Sequence, residues 1–92
     1  MARFTTRVEL HSASESDYQT LHKEMEKEGF VRTISDSNGV KYQLPTAEYN
    51  KDGNFSLEQV FISAEKASKV TGKSYDILVT ESAGRRWSLK KA

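Results

Sequence analysis

The sequence contains no cysteine, and its 92 residues include only one proline and two histidines. Without cysteine the chain has no disulfide framework, no thiolate zinc site and no cysteine nucleophile, and a reducing compartment is permitted. It also lacks any stretch near the roughly 18 apolar residues of a membrane span, and its start has no apolar signal-peptide core. We therefore expect one small cytoplasmic domain with no membrane contact.

Motifs for metals and cofactors are missing as well. The five glycines are dispersed, so no phosphate-binding loop and no nucleotide cofactor is predicted. His11 and His22 fall on different predicted elements and outside any H-x-x-x-H spacing, so we predict no metal site and no cofactor. Glu24, Glu26 and Glu28 alternate with lysines on a predicted helix, a pattern typical of a solvated face.

The near-neutral total charge conceals an uneven distribution. Residues 85–92 carry four basic side chains and no acidic one, so this tail is +4 and the rest of the chain is −3, which together give the formal +1. Trp87 lies in the same tail. A basic segment with an aromatic ring can contact phosphates and stack on a base, although terminal basic segments are also common as solubilising tails.

Residues 3–10 alternate in polarity, which predicts a β-strand with one buried face. The expected buried side carries Phe4, Thr6, Val8 and Leu10, and the other side carries Arg3, Thr5, Arg7 and Glu9.

Two helices are predicted from their capping signals. The first covers residues 14–28 with a cap at Ser14, and the second begins at the capping box Ser56-x-x-Gln59 and ends before Gly72. The expected buried faces are Tyr18, Leu21, His22 and Met25 on the first helix, and Leu57, Val60, Phe61, Ala64 and Ala67 on the second.

Further strands are predicted over residues 30–35, 40–44 and 75–80. The Asn38-Gly39 pair predicts a tight hairpin between the first two, which makes them antiparallel neighbours. The apolar run 75–80 suits an interior strand. Residues 46–49 read as a short extended piece, and the pattern at 86–89 allows a weak fifth strand.

The predicted order is β-α-β-β-α-β, which gives an α+β fold. Short connections and right-handed crossovers favour a ferredoxin-like arrangement, a four-stranded antiparallel sheet with both helices on one face. Residues 1–84 form this domain and residues 85–92 its basic tail. The sheet face away from the helices is then open and carries Arg3 and Arg7.

An open sheet face is a common RNA-binding surface, but the strand at 40–44 has one aromatic residue and lacks the pattern of an RNA-recognition motif. We therefore predict RNA binding through phosphate contacts rather than base stacking on the sheet. The predicted contact residues are Arg3, Arg7, Arg32, Arg85, Arg86, Trp87, Lys90 and Lys91.

The segment from Glu28 to Tyr49, EGFVRTISDSNGVKYQLPTAEY, resembles the strand-hairpin-strand segment of the GhoS-type antitoxins of type V toxin-antitoxin systems. The likeness extends loosely over nearly the whole chain. It implies a ferredoxin-like domain related in fold to the Cas2 nucleases, a bacterial or phage source, and endoribonuclease activity on the messenger of a small membrane toxin.

Catalytic residues follow less directly. Where Cas2-like nucleases have a catalytic carboxylate near the end of the first strand, this strand ends Val8-Glu9-Leu10-His11. If RNA is cleaved, His11 is a chemically reasonable general acid or base, with Arg7 stabilising the phosphorane and no metal required. The alternatives are a non-catalytic domain that dimerises or binds a protein through a sheet edge, and a small-ligand module for which the sequence offers no positive feature.

Overall fold

The computed structural model describes residues 2–92 and has an α+β architecture. In chain order the elements are β1 (Ala2–Leu10), α1 (Glu15–Lys27), β2 (Thr33–Ser35), β3 (Lys41–Gln43), β4 (Glu48–Gly53), α2 (Leu57–Val70) and β5 (Tyr75–Glu81). No helix in this part of the chain is long and apolar enough to cross a membrane.

Strand β1 is the centre of a three-stranded antiparallel sheet, sheet A, with the order β4-β1-β5. Thr6 lies opposite Tyr49 on one side and opposite Val79 on the other. The alternation predicted for β1 is confirmed, because Phe4, Thr6, Val8 and Leu10 are buried and Arg3, Arg7 and Glu9 are exposed. The exposed set lies on the open face of sheet A, the face away from the helices.

The prediction of a single four-stranded sheet is wrong. Strands β2 and β3 form a separate antiparallel pair, sheet B, whose hairpin at Asn38-Gly39 was predicted correctly. The link between the two sheets is one isolated bridge, in which Val31 and Asn50 exchange both backbone hydrogen bonds at 2.9 and 2.7 Å. One residue later the Arg32 carbonyl accepts from the Leu44 amide instead, so the chain leaves β4 after a single bridge.

Two strand positions also differ from the prediction. The apolar strand β5 is an edge strand rather than an interior one, and the Leu78 side chain is 65% exposed. The neighbour of β1 on the other side is β4, which contains the stretch read from sequence as a short extended piece. Tyr49 in β4 is fully buried in the core. The sequence pattern around this residue did not predict its burial.

Both helices begin as predicted. Ser14 and Ser56 form complete capping boxes with Asp17 and Gln59, which satisfies backbone N–H groups of each first turn. The buried residues Leu21 and Met25 of α1, and Val60, Ala64 and Ala67 of α2, join the inner face of β1 in one core cluster.

The buried stripe of α2 is narrower than predicted. Leu57 and Phe61 are 45% and 39% exposed, whereas Ala64, Ala67 and Ser68 are buried. Small side chains at the contact let the helix approach the sheet closely, and the Ser68 hydroxyl donates to the Ala64 carbonyl at 2.8 Å. The two larger side chains therefore lie at the border of the core rather than inside it.

Candidate nucleic-acid interface

The tail, residues 85–92, is packed against the domain rather than extended into solvent. The Ser82 amide, three residues before the tail, donates to the Arg3 carbonyl at 2.8 Å. The Arg85 guanidinium then donates through Nη1 to the Asn50 amide oxygen at 2.6 Å and to the Thr5 hydroxyl at 3.4 Å. Since Thr5 and Asn50 are directly opposite each other in sheet A, Arg85 crosses the open face between β1 and β4.

This contact places Arg85 close to Arg3. Partial burial lowers the pKa of the Arg85 guanidinium, the positive charge of Arg3 lowers it further, and Asp52 acts in the opposite direction. Arginine stays protonated in proteins despite such shifts. Two cations therefore share this part of the surface with one nearby carboxylate.

The end of the tail is attached to sheet B. The Trp87 and Tyr42 rings are 5.7 Å apart between centroids with an interplanar angle of 58°. The Gln43 amide donates to the Lys90 carbonyl at 2.9 Å, and the Ala92 amide donates to the Lys41 carbonyl at 3.0 Å. The bridge residue is Lys91, opposite Tyr42, so strand-like pairing occurs just beyond the 86–89 segment that the sequence indicated.

A cleft of about 480 Å³ lies between the tail and the domain. Arg85, Arg86 and Trp87 line it from the tail, and Thr5 and Glu48 line it from sheet A. Arg86 is exposed, and Trp87 is half-buried and closes one side. The cleft thus combines guanidinium groups with an indole ring, although Glu48 partly offsets the positive charge.

The predicted catalytic residues lie farther along the open face, toward the end of β1. Arg7 faces Leu78 and Glu48 in the register of sheet A, and His11 follows the end of β1. The His11 Nε2 atom is 2.9 Å from the Asp76 Oδ2 atom. Arg7 and His11 are separated by about 13 Å of strand, and within residues 2–92 no hydrogen bond joins their side chains.

Asp76 is a residue of this cluster that the sequence interpretation missed. It lies opposite Glu9 in β5, and ligand atoms of Glu9, His11 and Asp76 lie within 4.8 Å of one another. Two carboxylates and an imidazole are a donor set that suits a divalent cation, and the spacing of the two histidines in the sequence did not indicate this grouping. All three side chains are exposed. Pairing the first strand with the last in antiparallel register would have brought Asp76 beside Glu9.

The remaining predicted residues are not all on this surface. Arg32 lies at a second cleft with His22 and Tyr49, and Tyr49 faces the helices because it is opposite the buried Thr6. Lys90 and Lys91 are exposed beside β3. The structure therefore groups Arg3 with Arg85 and the cleft residues Arg86 and Trp87, puts Arg7 and His11 farther along the same face, and places Arg32 elsewhere.

Comparison of the chain with known protein families and with curated proteins finds no match.

Proposed function

We propose that this protein binds single-stranded RNA along the open face of sheet A and the tail, and that it acts as an antitoxin-type endoribonuclease on a toxin messenger. The family resemblance of residues 28–49 motivates the second part. The fold is in our interpretation a ferredoxin-like sheet, β5-β1-β4, whose fourth strand is reduced to the Val31–Asn50 bridge.

The observation that carries the proposal is the position of Arg85. Its bonds to Asn50 and Thr5 bring the basic tail onto the sheet face that already carries Arg3, although the rest of the domain is acidic overall. Cations gathered on one face support phosphate contacts, which position a nucleic acid without reading its sequence. Trp87 beside the cleft supports stacking of a base.

Cleavage in this proposal uses His11 and Arg7. The imidazole of His11 takes the proton from a ribose 2′-hydroxyl, that oxygen attacks the adjacent phosphorus, and the 5′-oxygen leaves with a proton from water, which gives a cyclic phosphate. Arg7 lines one small cleft with Asp76, the partner of His11, so its long side chain can extend to the same phosphate and stabilise the negative charge that develops on the phosphorane. The contact with Asp76 holds the His11 ring in one orientation.

The binding test is fluorescence anisotropy with a short labelled single-stranded RNA at low and at physiological ionic strength. Affinity should fall steeply with salt, and Arg86→Gln should weaken binding and reduce the salt slope by about one phosphate contact. Lys69→Gln removes the same charge from an exposed position of α2 and should change neither value. Equal affinity of Arg86→Gln and wild type would contradict the proposed surface.

The cleavage test uses the same RNA on a denaturing gel, with and without a chelator. His11→Ala and Arg7→Ala should abolish cleavage while binding persists at reduced or unchanged affinity. If wild type binds but does not cut, the protein is an RNA-binding protein only. If a chelator stops cleavage, the Glu9, His11 and Asp76 cluster acts through a metal rather than by proton transfer.

A second candidate function is dimerisation through β5. The outer edge of this strand is unpaired within residues 2–92, and its Leu78 side chain is exposed on the open face, opposite Arg7. An open apolar edge favours pairing with a second strand. Light scattering after size exclusion should then show a dimer that persists at high salt and that Leu78→Lys dissociates, whereas a monomer at all salt concentrations would exclude this function.

A further inference from the structure

A second cleft, of about 460 Å³, lies on the helix side of the molecule between α1 and residues 30–33. Lys23 and His22 line it from α1, and Arg32 lines it from the chain that leads into β2. Because Tyr49 faces the helices and Asn50 faces the tail, this cleft and the tail cleft are on opposite sides of β4.

The imidazole of His22 is fixed in this cleft by one of its two nitrogens. Its Nδ1 atom is 2.6 Å from the hydroxyl oxygen of the fully buried Tyr49. Burial raises the pKa of the Tyr49 hydroxyl, which therefore stays protonated. Burial and then the charge of Arg32 lower the pKa of His22, so its ring is neutral near pH 7. A Tyr49 proton donated to Nδ1 leaves an N–H on Nε2 as a donor for a ligand.

Arg32 is a cation of this cleft whose side chain has no partner within residues 2–92. Its main chain is held firmly, since its carbonyl accepts from the Leu44 amide at 2.8 Å and from the Gln43 side chain at 3.0 Å. Within residues 2–92 its guanidinium forms no hydrogen bond or ion pair, and its Nε atom is shielded from solvent. The Nε atom of Arg85 is shielded and unpartnered as well, but the Nη1 atom of Arg85 donates to the Asn50 side-chain oxygen. The terminal nitrogens of the Arg32 guanidinium also have no acceptor within residues 2–92, so they can donate to an oxyanion in the cleft.

The other groups of the cleft indicate what accompanies the oxyanion. Lys23 adds a second cation, while Gln19, Glu26 and Thr33 offer oxygen and nitrogen atoms for hydroxyl groups. The volume exceeds that of a phosphate ion alone. Phe30 and Tyr49 are almost completely buried beneath the surface, so they give the cleft a rigid floor rather than a stacking platform.

We propose that this cleft binds a ribose phosphate group, with the phosphate on Arg32, Lys23 and the Nε2–H of His22, and the sugar hydroxyls on Glu26 and Gln19. The group can come from a free sugar phosphate or from the backbone of RNA. The proposal does not depend on RNA binding by the tail, because the two clefts share no side chain.

Isothermal titration calorimetry with ribose 5-phosphate tests the site directly, with inorganic phosphate and ribose as separate probes. Ribose 5-phosphate should bind saturably and more tightly than either probe. Arg32→Gln should weaken it about tenfold or more, because a bidentate charge-assisted contact is lost. Lys69→Gln, a matched loss of one charge on α2, should bind as wild type does.

Proton NMR of the His22 ring separates binding from a general effect on folding. Bound phosphate should raise the pKa of His22, because an adjacent anion favours the imidazolium. Lys23→Gln alters an exposed side chain and keeps the fold, so it serves if Arg32→Gln unfolds, and it should weaken binding by a smaller factor. No saturable heat with ribose 5-phosphate, or equal affinity in both variants and wild type, would overturn the proposal.

The source of the group is decided by repeating the NMR titration with short RNA on the Arg85→Ala variant. A His22 shift produced by RNA despite loss of the tail contact assigns the cleft to the RNA backbone. A shift with ribose 5-phosphate alone assigns it to a free metabolite. If the RNA proposal fails and ribose 5-phosphate still binds, the site stands independently.

Discussion

His22 is the residue whose environment makes the clearest pH prediction. Its folded-state pKa is lowered from 6.5, so the unfolded chain binds more protons than the folded one in the window at and below this value. Stability is therefore fully present above about pH 6.5 and decreases as the pH falls through that window. Urea unfolding at a series of pH values should show this decrease in wild type.

His22→Gln should flatten the profile between about pH 5 and 7, because glutamine does not titrate. His11→Gln provides the control for the other histidine. The carboxylates of Asp17 and Asp36 also have lowered pKa values, owing mainly to backbone hydrogen bonds. Because both pKa values lie below 3.8, protonation of these groups does not change stability in the pH window of His22. An unchanged slope in His22→Gln would refute the assignment.

Gly53 is a residue whose backbone geometry resists substitution. Its φ is +146°, and an added Cβ would come within 2.6 Å of the Phe55 ring. Gly53→Ala should therefore lower the free energy of unfolding by about 1 kcal/mol or more. The Lys51 Nζ atom lies 4.4 Å from the centroid of the Phe55 ring. A shift of that ring would also disturb this cation–π contact.

Gly84→Ala is the matched control, because nothing lies within 4 Å of the added Cβ. Its effect on stability should stay within about 0.5 kcal/mol. Thermal or urea unfolding of the two variants beside wild type measures the difference, and equal stability of both would show that the Gly53 geometry is not restrictive.

At the scale of elements, the capping box of α2 fixes where that helix begins. The Gln59 amide donates to the Ser56 hydroxyl at 3.1 Å, and the Ser56 amide donates to the Gln59 side chain at 2.8 Å. Ser56→Ala should cost about 1 kcal/mol of stability. Ser37→Ala, in the hairpin loop, should cost much less in the same urea titration, and a reversed order would argue against the cap.

The tail is the element whose loss should separate function from folding. No residue of it belongs to the core cluster, so a chain ending at Gly84 should still fold. It would lose the Arg85 contacts with Asn50 and Thr5, and its RNA affinity should fall by more than about tenfold because four cations leave the surface. Circular dichroism and anisotropy on the same sample compare the two effects. Full RNA affinity without the tail would remove it from the proposed interface.

The secondary-structure elements also show which features of the fold the sequence patterns predicted. Alternation in β1, the cap at Ser14 and the capping box at Ser56 depend on neighbours within a few residues, and the structure confirms them. The edge position of β5 and the departure of residues 32–35 from β4 depend on pairing between distant segments. The proximity of Glu9 to Asp76 and the contact of His22 with Tyr49 also depend on residues that are distant in sequence. The sequence alone therefore did not predict either candidate site completely.

For the whole molecule, the charges of −3 on the domain and +4 on the tail are divided along the sequence but not separated in space. Arg85 is in contact with sheet A and Lys91 with β3, so the two oppositely charged parts form one surface. Salt should therefore loosen the tail from the domain as well as weaken phosphate contacts. Hydrogen exchange of the tail amides at low and high salt distinguishes these two effects.

The central place of β1 in sheet A has a consequence for how the protein is made. This strand is synthesised before both of its partners, because Phe4 pairs with Lys51 of β4 and with Glu81 of β5. Until β4 is synthesised the growing chain therefore carries an unpaired strand with an apolar side, and one edge of that strand stays open until β5 follows. Contacts this distant in sequence form slowly. The tail is synthesised after all three strands of sheet A, so the proposed RNA surface is completed only after the sheet is.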